Sequence, residues 1–99
     1  MYLIIWEYHV RAGMERSFEA AYGPDGDWAL LFRSTPGYLG TTLLRDVSDP
    51  RAYTTLDRWV SRSEFDRFMR ECRERYEALD RGFHALTETE SRILAVEIP

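Results

Sequence analysis

Asp57 is a carboxylate placed among aromatic rings, where a charge is costly. It falls in the run Ala52 to Val60, between Tyr53 and Trp59. Side chains of a strand alternate, so Tyr53, Thr55, Asp57 and Trp59 share one face of that run. The first ten residues alternate in the same way. Tyr2, Ile4, Trp6, Tyr8 and Val10 lie on one face, with Leu3, Ile5, Glu7 and His9 on the other. If the two strands join one sheet with these faces matched, Asp57 looks onto Trp6 and Tyr8. A carboxylate in that setting is desolvated, its pKa rises, and it becomes a competent base for a phenolic or hydroquinone proton. A substrate of that kind can itself reduce O2 once deprotonated. The protein then supplies a base, an apolar cavity and protection from water. The alternative is structural: Asp57 accepts hydrogen bonds from Trp28 Nε1, Tyr22 or a backbone N–H and holds the first helical region in place.

The aromatic side chains carry the same two readings. Trp6, Tyr8, Tyr22, Trp28, Tyr53, Trp59 and Tyr76 either line a pocket for a flat aromatic ligand or fill the core between sheet and helices. In the first reading Trp28 and Tyr76 act as gates or hydrogen-bond donors. No metal site is expected, because His9, His84 and the single Cys72 do not stand at ligand spacing. Cys72 reads as a small buried side chain, and no phosphate-binding glycine loop is present.

The elements that must position these residues follow in order. After the first strand, Arg11 to Gly13 turn the chain, and Met14 to Tyr22 form a short helix. Gly23-Pro24-Asp25-Gly26 stops it and makes a joint that could serve as an entrance flap. Asp27 caps a second short helix, Trp28 to Ser34. Tyr38 to Asp46 is a strand, joined through Val47 to Arg51 to the strand at 52–60. Ser61 and Glu64 have capping-box spacing ahead of a long helix. Its apolar stripe is Phe65, Phe68, Cys72, Tyr76, Leu79, Phe83 and Leu86. Glu71–Arg75 and Glu77–Arg81 stand at i,i+4 on its polar side, and Gly82 marks a bend or break. Ser91 to Ile98 is the last strand. The order is that of a ferredoxin-like βαββαβ fold of the α+β class: an antiparallel four-stranded sheet with helices on one face. The other face gathers Leu3, Ile5, Leu39, Leu43, Leu56 and Val60, an apolar patch that predicts a homodimer formed through the sheet. His9 is expected at that face, in polar contacts with Glu7, Arg45 or Arg58.

Composition narrows the class. Ninety-nine residues, 44% hydrophobic and 14% aromatic, describe one globular domain over 1–99. The net charge is −4, all 13 basic residues are arginine, and no basic run suggests nucleic acid as a partner. Apolar runs are too short for a membrane span, and the first residues lack the pattern of a signal peptide. One cysteine fits a reducing compartment, so a cytoplasmic location is expected.

Three stretches carry a resemblance: WEYHV-RAG-MERSFEAAYGPDGDWALLF, PGYLGTTLLRD and DPRAYTTLDRWVSRSEFDRF. With the closing ESRILAVEI they resemble the antibiotic biosynthesis monooxygenase-like family of dimeric α/β-barrel proteins. The resemblance implies that fold and its dimer. It also implies activities ranging from cofactor-independent oxygenation of polycyclic phenols and quinols to haem degradation, or ligand binding without turnover. Haem-degrading relatives share the third-strand tryptophan, matched by Trp59. Their first-strand asparagine is replaced by Trp6, and Met69 or Arg70 stands where they carry the iron-ligating histidine. Stoichiometric haem binding is therefore not expected. The expectation is a homodimeric monooxygenase without cofactor, acting on a phenolic or quinol-type compound with Asp57 as base. Its rivals are a non-catalytic, ligand-binding or stress-associated dimer and a haem-binding protein.

Overall fold

The computed structural model describes residues 1–99. Strand β1 (Tyr2–Val10) is followed by helices α1 (Glu15–Tyr22) and α2 (Asp27–Phe32). Strands β2 (Tyr38–Arg45) and β3 (Ala52–Trp59), helix α3 (Arg62–Phe83), a 3-10 turn (His84–Leu86) and strand β4 (Thr87–Glu97) complete the chain. The sheet is antiparallel throughout, in the order β2-β3-β1-β4, which is the ferredoxin-like arrangement.

The alternation in β1 decides what the helices cover. Tyr2, Ile4, Tyr8 and Val10 are buried, whereas Leu3, Ile5 and His9 are only half-buried. Phe18 and Tyr22 of α1, Trp28 and Phe32 of α2, and Phe68 and Cys72 of α3 close over that face. The rings pack edge-on as well as stacked; Phe32 meets Trp59 at 5.5 Å between centroids and Phe68 at 5.2 Å. Such contacts add to the burial of their large apolar area.

Several local expectations are corrected. Asp27 is not the cap of α2 but its first residue, because Gly26 in extended backbone occupies the capping position. The Ser61 hydroxyl does accept from the Glu64 N–H at 3.2 Å, but the Glu64 carboxylate does not reach back; its Oε2 is buried without a hydrogen bond, 4.0 Å from Arg67 Nη1. Helix α3 runs through Gly82 to Phe83, and its irregularity lies at Cys72 (φ −119°, ψ 16°). A glycine in an exposed last turn costs about 1 kcal/mol without ending a helix whose apolar stripe is docked. The ion pairs on α3 run Arg67–Glu71 and Arg73–Glu77, while Arg75 turns inward to the Cys72 sulfur at 3.0 Å. Strand β4 begins at Thr87 rather than Ser91, since the second half of β1 supplies backbone partners to the polar run Thr87–Glu90. The joint at Gly23–Gly26 is not a loose flap. A Cβ on Gly26 would lie 2.5 Å from the Ala20 carbonyl oxygen, and Arg33 donates to the Pro24 carbonyl at 2.8 Å.

Register shifts set the faces of the outer strands, one where β2 pairs with β3 and two where β4 pairs with β1. The pairing of β2 with β3 slips between Tyr38 and Gly40, whose φ of +142° suits glycine. After the slip Thr41 and Leu43 share the helix-covered side with Asp57 and Thr55, and Thr42 and Leu44 turn to the open side with Leu56. Leu43, expected on the open face, is therefore packed against the core. The open face instead shows Leu39 and Leu44, each about half exposed (54% and 50%), and Leu94 of β4 at 47%. His9 binds neither Glu7 nor the two arginines expected. Its ring joins Glu88 through Nδ1 at 2.8 Å and Asp49 through Nε2 at 3.0 Å. Those partners come from the start of β4 and the β2–β3 connection, which strand periodicity does not bring together.

Candidate active site

Between the sheet and the helices lies a cavity of about 220 Å³. Its floor is the helix-facing row of β1, Ile4, Trp6 and Tyr8, with Trp6 stacked on Tyr8 at 6.3 Å. Tyr22 and Trp28 from the α1–α2 region and Tyr76 from α3 form the roof, with Phe32, Phe65 and Met69 completing the apolar wall. Of the seven aromatic residues expected to line a pocket, the structure brings together Trp6, Tyr8, Tyr22, Trp28 and Tyr76. Tyr53 and Trp59 do not line it. Trp59 is fully buried beneath Phe32, Phe65 and Phe68, and the Tyr53 hydroxyl points the other way, donating to Glu19 Oε2 at 2.6 Å. Both lie on the face that alternation gives them, but at the strand's ends, outside the cavity's span.

Asp57 is on the cavity wall. β3 pairs with β1 so that Asp57 stands opposite Ile4, and β2 sets Thr41 opposite Asp57. The Thr41 hydroxyl donates to Asp57 Oδ1 at 2.6 Å. Its oxygen lies 2.6 Å from the Tyr38 hydroxyl. Thr41 has one proton, already given to the carboxylate, so Tyr38 is the donor and the chain runs Tyr38 to Thr41 to Asp57. Asp57 Oδ2 takes no bond from the protein. Burial pushes the carboxyl up to about 6, against the opposing pull of the Thr41 hydrogen bond and the nearby Arg58. The expected structural donors are absent: neither Tyr22 nor Trp28 reaches it. Instead the Trp28 indole N–H is buried at the cavity with no hydrogen-bond partner. The Tyr22 hydroxyl lies beside that indole, but not in hydrogen-bonding geometry.

The phenols are held protonated. Burial raises Tyr8, which also shares a 3.1 Å hydrogen bond with Thr55. Burial raises Tyr22 likewise, and Tyr76 to about 12 with Asp80 adding to the effect. Tyr76 has no protein partner for its hydroxyl. The arrangement can thus take a proton at Asp57 Oδ2 and offer neutral O–H donors to an oxyanion.

Periodicity missed four polar residues at the cavity: Thr41, Asp80, Glu90 and Arg92. Thr41 depends on the β2 bulge. Glu90 and Arg92 depend on where β4 begins and how it pairs: Tyr8 stands opposite Glu90 and Trp6 opposite Arg92. Asp80, Glu90 and Arg92 are all exposed, so the mouth opens between α3 and β4. His84 and Cys72 are not at the cavity, and no cluster of three metal-binding side chains exists.

A four-stranded antiparallel sheet with helices on one face, here with an aromatic cavity beneath them, defines a ferredoxin-like α+β protein. The model of the antibiotic biosynthesis monooxygenase family matches residues 1–78, and the chain belongs to that family. Its structure is similar to that of SnoaB, a cofactor-independent oxygenase from Streptomyces nogalater. The two are 19% identical with a TM-score of 0.79, over 99% of this chain and 92% of that one. It is also similar to PA3566 from Pseudomonas aeruginosa, with 17% identity and a TM-score of 0.69, over 99% and 93% of the respective chains. At such identities the likeness establishes the fold. No curated protein matches the chain.

Proposed function

We propose that this protein is a cofactor-independent monooxygenase of a phenolic or quinol-type aromatic compound, with Asp57 as its base. The observation that carries the reading is a carboxylate with one oxygen pinned by Thr41 and the other unclaimed at an aromatic cavity. A pKa near 6 leaves Asp57 ionised at neutral pH yet more basic than an ordinary carboxylate. Asp57 takes the phenolic proton, and Tyr22 and Tyr76 donate to the oxyanion. The electron-rich ring passes one electron to O2, and the radical pair closes a carbon–oxygen bond. Asp57 returns its proton to the peroxide, and loss of water from the hydroperoxide leaves a carbonyl: the phenol gives up its O–H hydrogen and the hydrogen of the attacked ring C–H, gains one oxygen, and the second oxygen departs as water. Trp6 and Tyr8 are the stacking floor. Tyr53 and Trp59 support the wall from behind rather than touching the ligand.

Two copies of this one-domain chain are proposed to pair through the open sheet face, where Leu3, Ile5, Leu56 and Leu94 lie side by side. The decisive measurement is O2 uptake with a panel of anthrols and naphthoquinols, wild type against Asp57→Asn. Uptake that depends on Asp57 supports the reading. Binding without uptake would convert the protein to a ligand carrier, and a stoichiometric Soret band with haemin would move it to the haem-binding branch.

A further inference from the structure

Resting on the phenolic-ligand reading, the geometry points to a narrower substrate class. We infer that the cavity takes an uncharged or cationic fused-ring phenol bearing a hydrogen-bond donor at its far end, and discriminates against ring carboxylates.

The cavity has two polar poles with apolar walls between them. One is Asp57 on β3, opposite Ile4 of β1. The other is on the far side of β1, where Trp6 pairs with Arg92 and Tyr8 with Glu90, and Asp80 comes down from α3. Strands lie about 4.8 Å apart and rise about 3.3 Å per residue, so the backbone positions of the poles are roughly 12–16 Å apart across the floor. With the side chains leaning inward, that span suits a flat ligand of about two or three rings with a polar group at each end.

Charge sets the sign. Six of the thirteen arginines, Arg33, Arg45, Arg51, Arg62, Arg67 and Arg73, each meet a carboxylate within 4.0 Å. Asp80, Glu90 and Arg92 make no ion pair or side-chain hydrogen bond, although all three face the cavity. With Asp57, the wall carries three carboxylates against one guanidinium. Glu90 feels this directly; burial raises its pKa first and the Asp80 charge adds to it. A second anion brought in on the ligand would be repelled at both ends. A hydroxyl or ammonium at the far end would meet free carboxylate acceptors.

The test is isothermal titration calorimetry at pH 7.5 with naphthalene-2,6-diol, 6-(aminomethyl)-2-naphthol and 6-hydroxy-2-naphthoate. The expected result is that the diol and the amine each bind about tenfold or more tighter than the naphthoate. The Asp80→Asn, Glu90→Gln double variant should narrow that ratio several-fold. Equal or tighter binding of the naphthoate, a ratio unmoved by the double variant, or no binding of any of the three would overturn the inference. Because the readout is binding, it separates from the activity question. Discrimination without O2 uptake would sink the monooxygenase reading alone, and uptake without discrimination would sink only this one.

Discussion

At Asp57 the cost of burial and the capacity for chemistry are the same quantity. Raising its pKa from 3.8 to about 6 means that the ionised form is disfavoured in the fold. The sign for stability follows: a carboxyl with a raised pKa costs nothing below its unfolded value, and the penalty grows as pH rises through 3.8 to 6. Above pH 7 it amounts to about 3 kcal/mol at one pKa unit per 1.36 kcal/mol. Asp57→Asn keeps an acceptor for Thr41 without the charge. It is expected to abolish turnover while raising the melting temperature at pH 7.5, and to lose that stability gain at pH 4. Calorimetric scans at the two pH values check this; a variant less stable at pH 7.5 would show a structural acceptor instead. Thr41 is expected to position Asp57. Thr41→Val should move the Asp57 titration upward by about one pH unit, read by carboxyl-carbon NMR, and shift the acid limb of the rate profile with it. Thr41→Ser should restore both.

Among the elements, the end of the sheet is tied by His9. Its imidazole lies between Glu88 at the start of β4 and Asp49 in the β2–β3 connection, and Arg51 also reaches Glu88 at 3.2 Å. The Glu88 and Asp49 hydrogen bonds raise the His9 pKa, and both carboxyls are lowered, Asp49 chiefly by the Arg51 backbone N–H and Glu88 chiefly by His9. A raised histidine stabilises fully below its ordinary value of 6.5 and less as pH climbs through its folded pKa. The lowered carboxyls stabilise above their ordinary values of 3.8 and 4.5 and fail as pH falls through their folded ones. The clamp is thus complete between about 4.5 and 6.5. His9→Gln should lower the melting temperature in that window, by an amount that shrinks toward pH 9. An unchanged difference across pH would show that packing rather than charge is lost. The clamp was not legible in the sequence: alternation puts His9 on the open face, but its two partners come from a connection and from four strand residues that read as loop. Thr41 was hidden for a similar reason, since one bulge at Leu39 reverses the faces of the rest of β2.

For the whole molecule, the open sheet face is the feature that a monomer leaves unexplained. Leu39, Leu44, Val60 and Leu94 are each roughly half exposed, beside Leu3, Ile5 and Leu56. A contiguous apolar patch of this kind marks an interaction surface, and the proposed partner is a second copy. Leu56→Arg is expected to convert the dimer to monomer or aggregate in sedimentation analysis, with the cavity residues untouched on the other face. A monomeric wild type at micromolar concentration would count against the pairing. No helix is long and apolar enough to cross a membrane.

The amino-acid sequence by itself determined the element order, the ferredoxin-like class and which face of β1 the helices cover. Those are one-dimensional properties: a period of two, a period near 3.6 and the glycine and proline punctuation between them. It also singled out Asp57, because a charge among aromatic neighbours on one strand face is visible as a pattern. Only the tertiary structure decided which aromatics meet around a void. Trp6 and Trp59 sit on equivalent faces of neighbouring strands, yet one lines the cavity and the other is sealed in the core. Tertiary structure also decided that Asp57 is bound by Thr41 and not by Trp28, and that Glu90 and Arg92 stand at the mouth. Register, bulges and the point where a polar strand finds a partner depend on contacts between segments distant in the chain, and a local pattern carries no record of them.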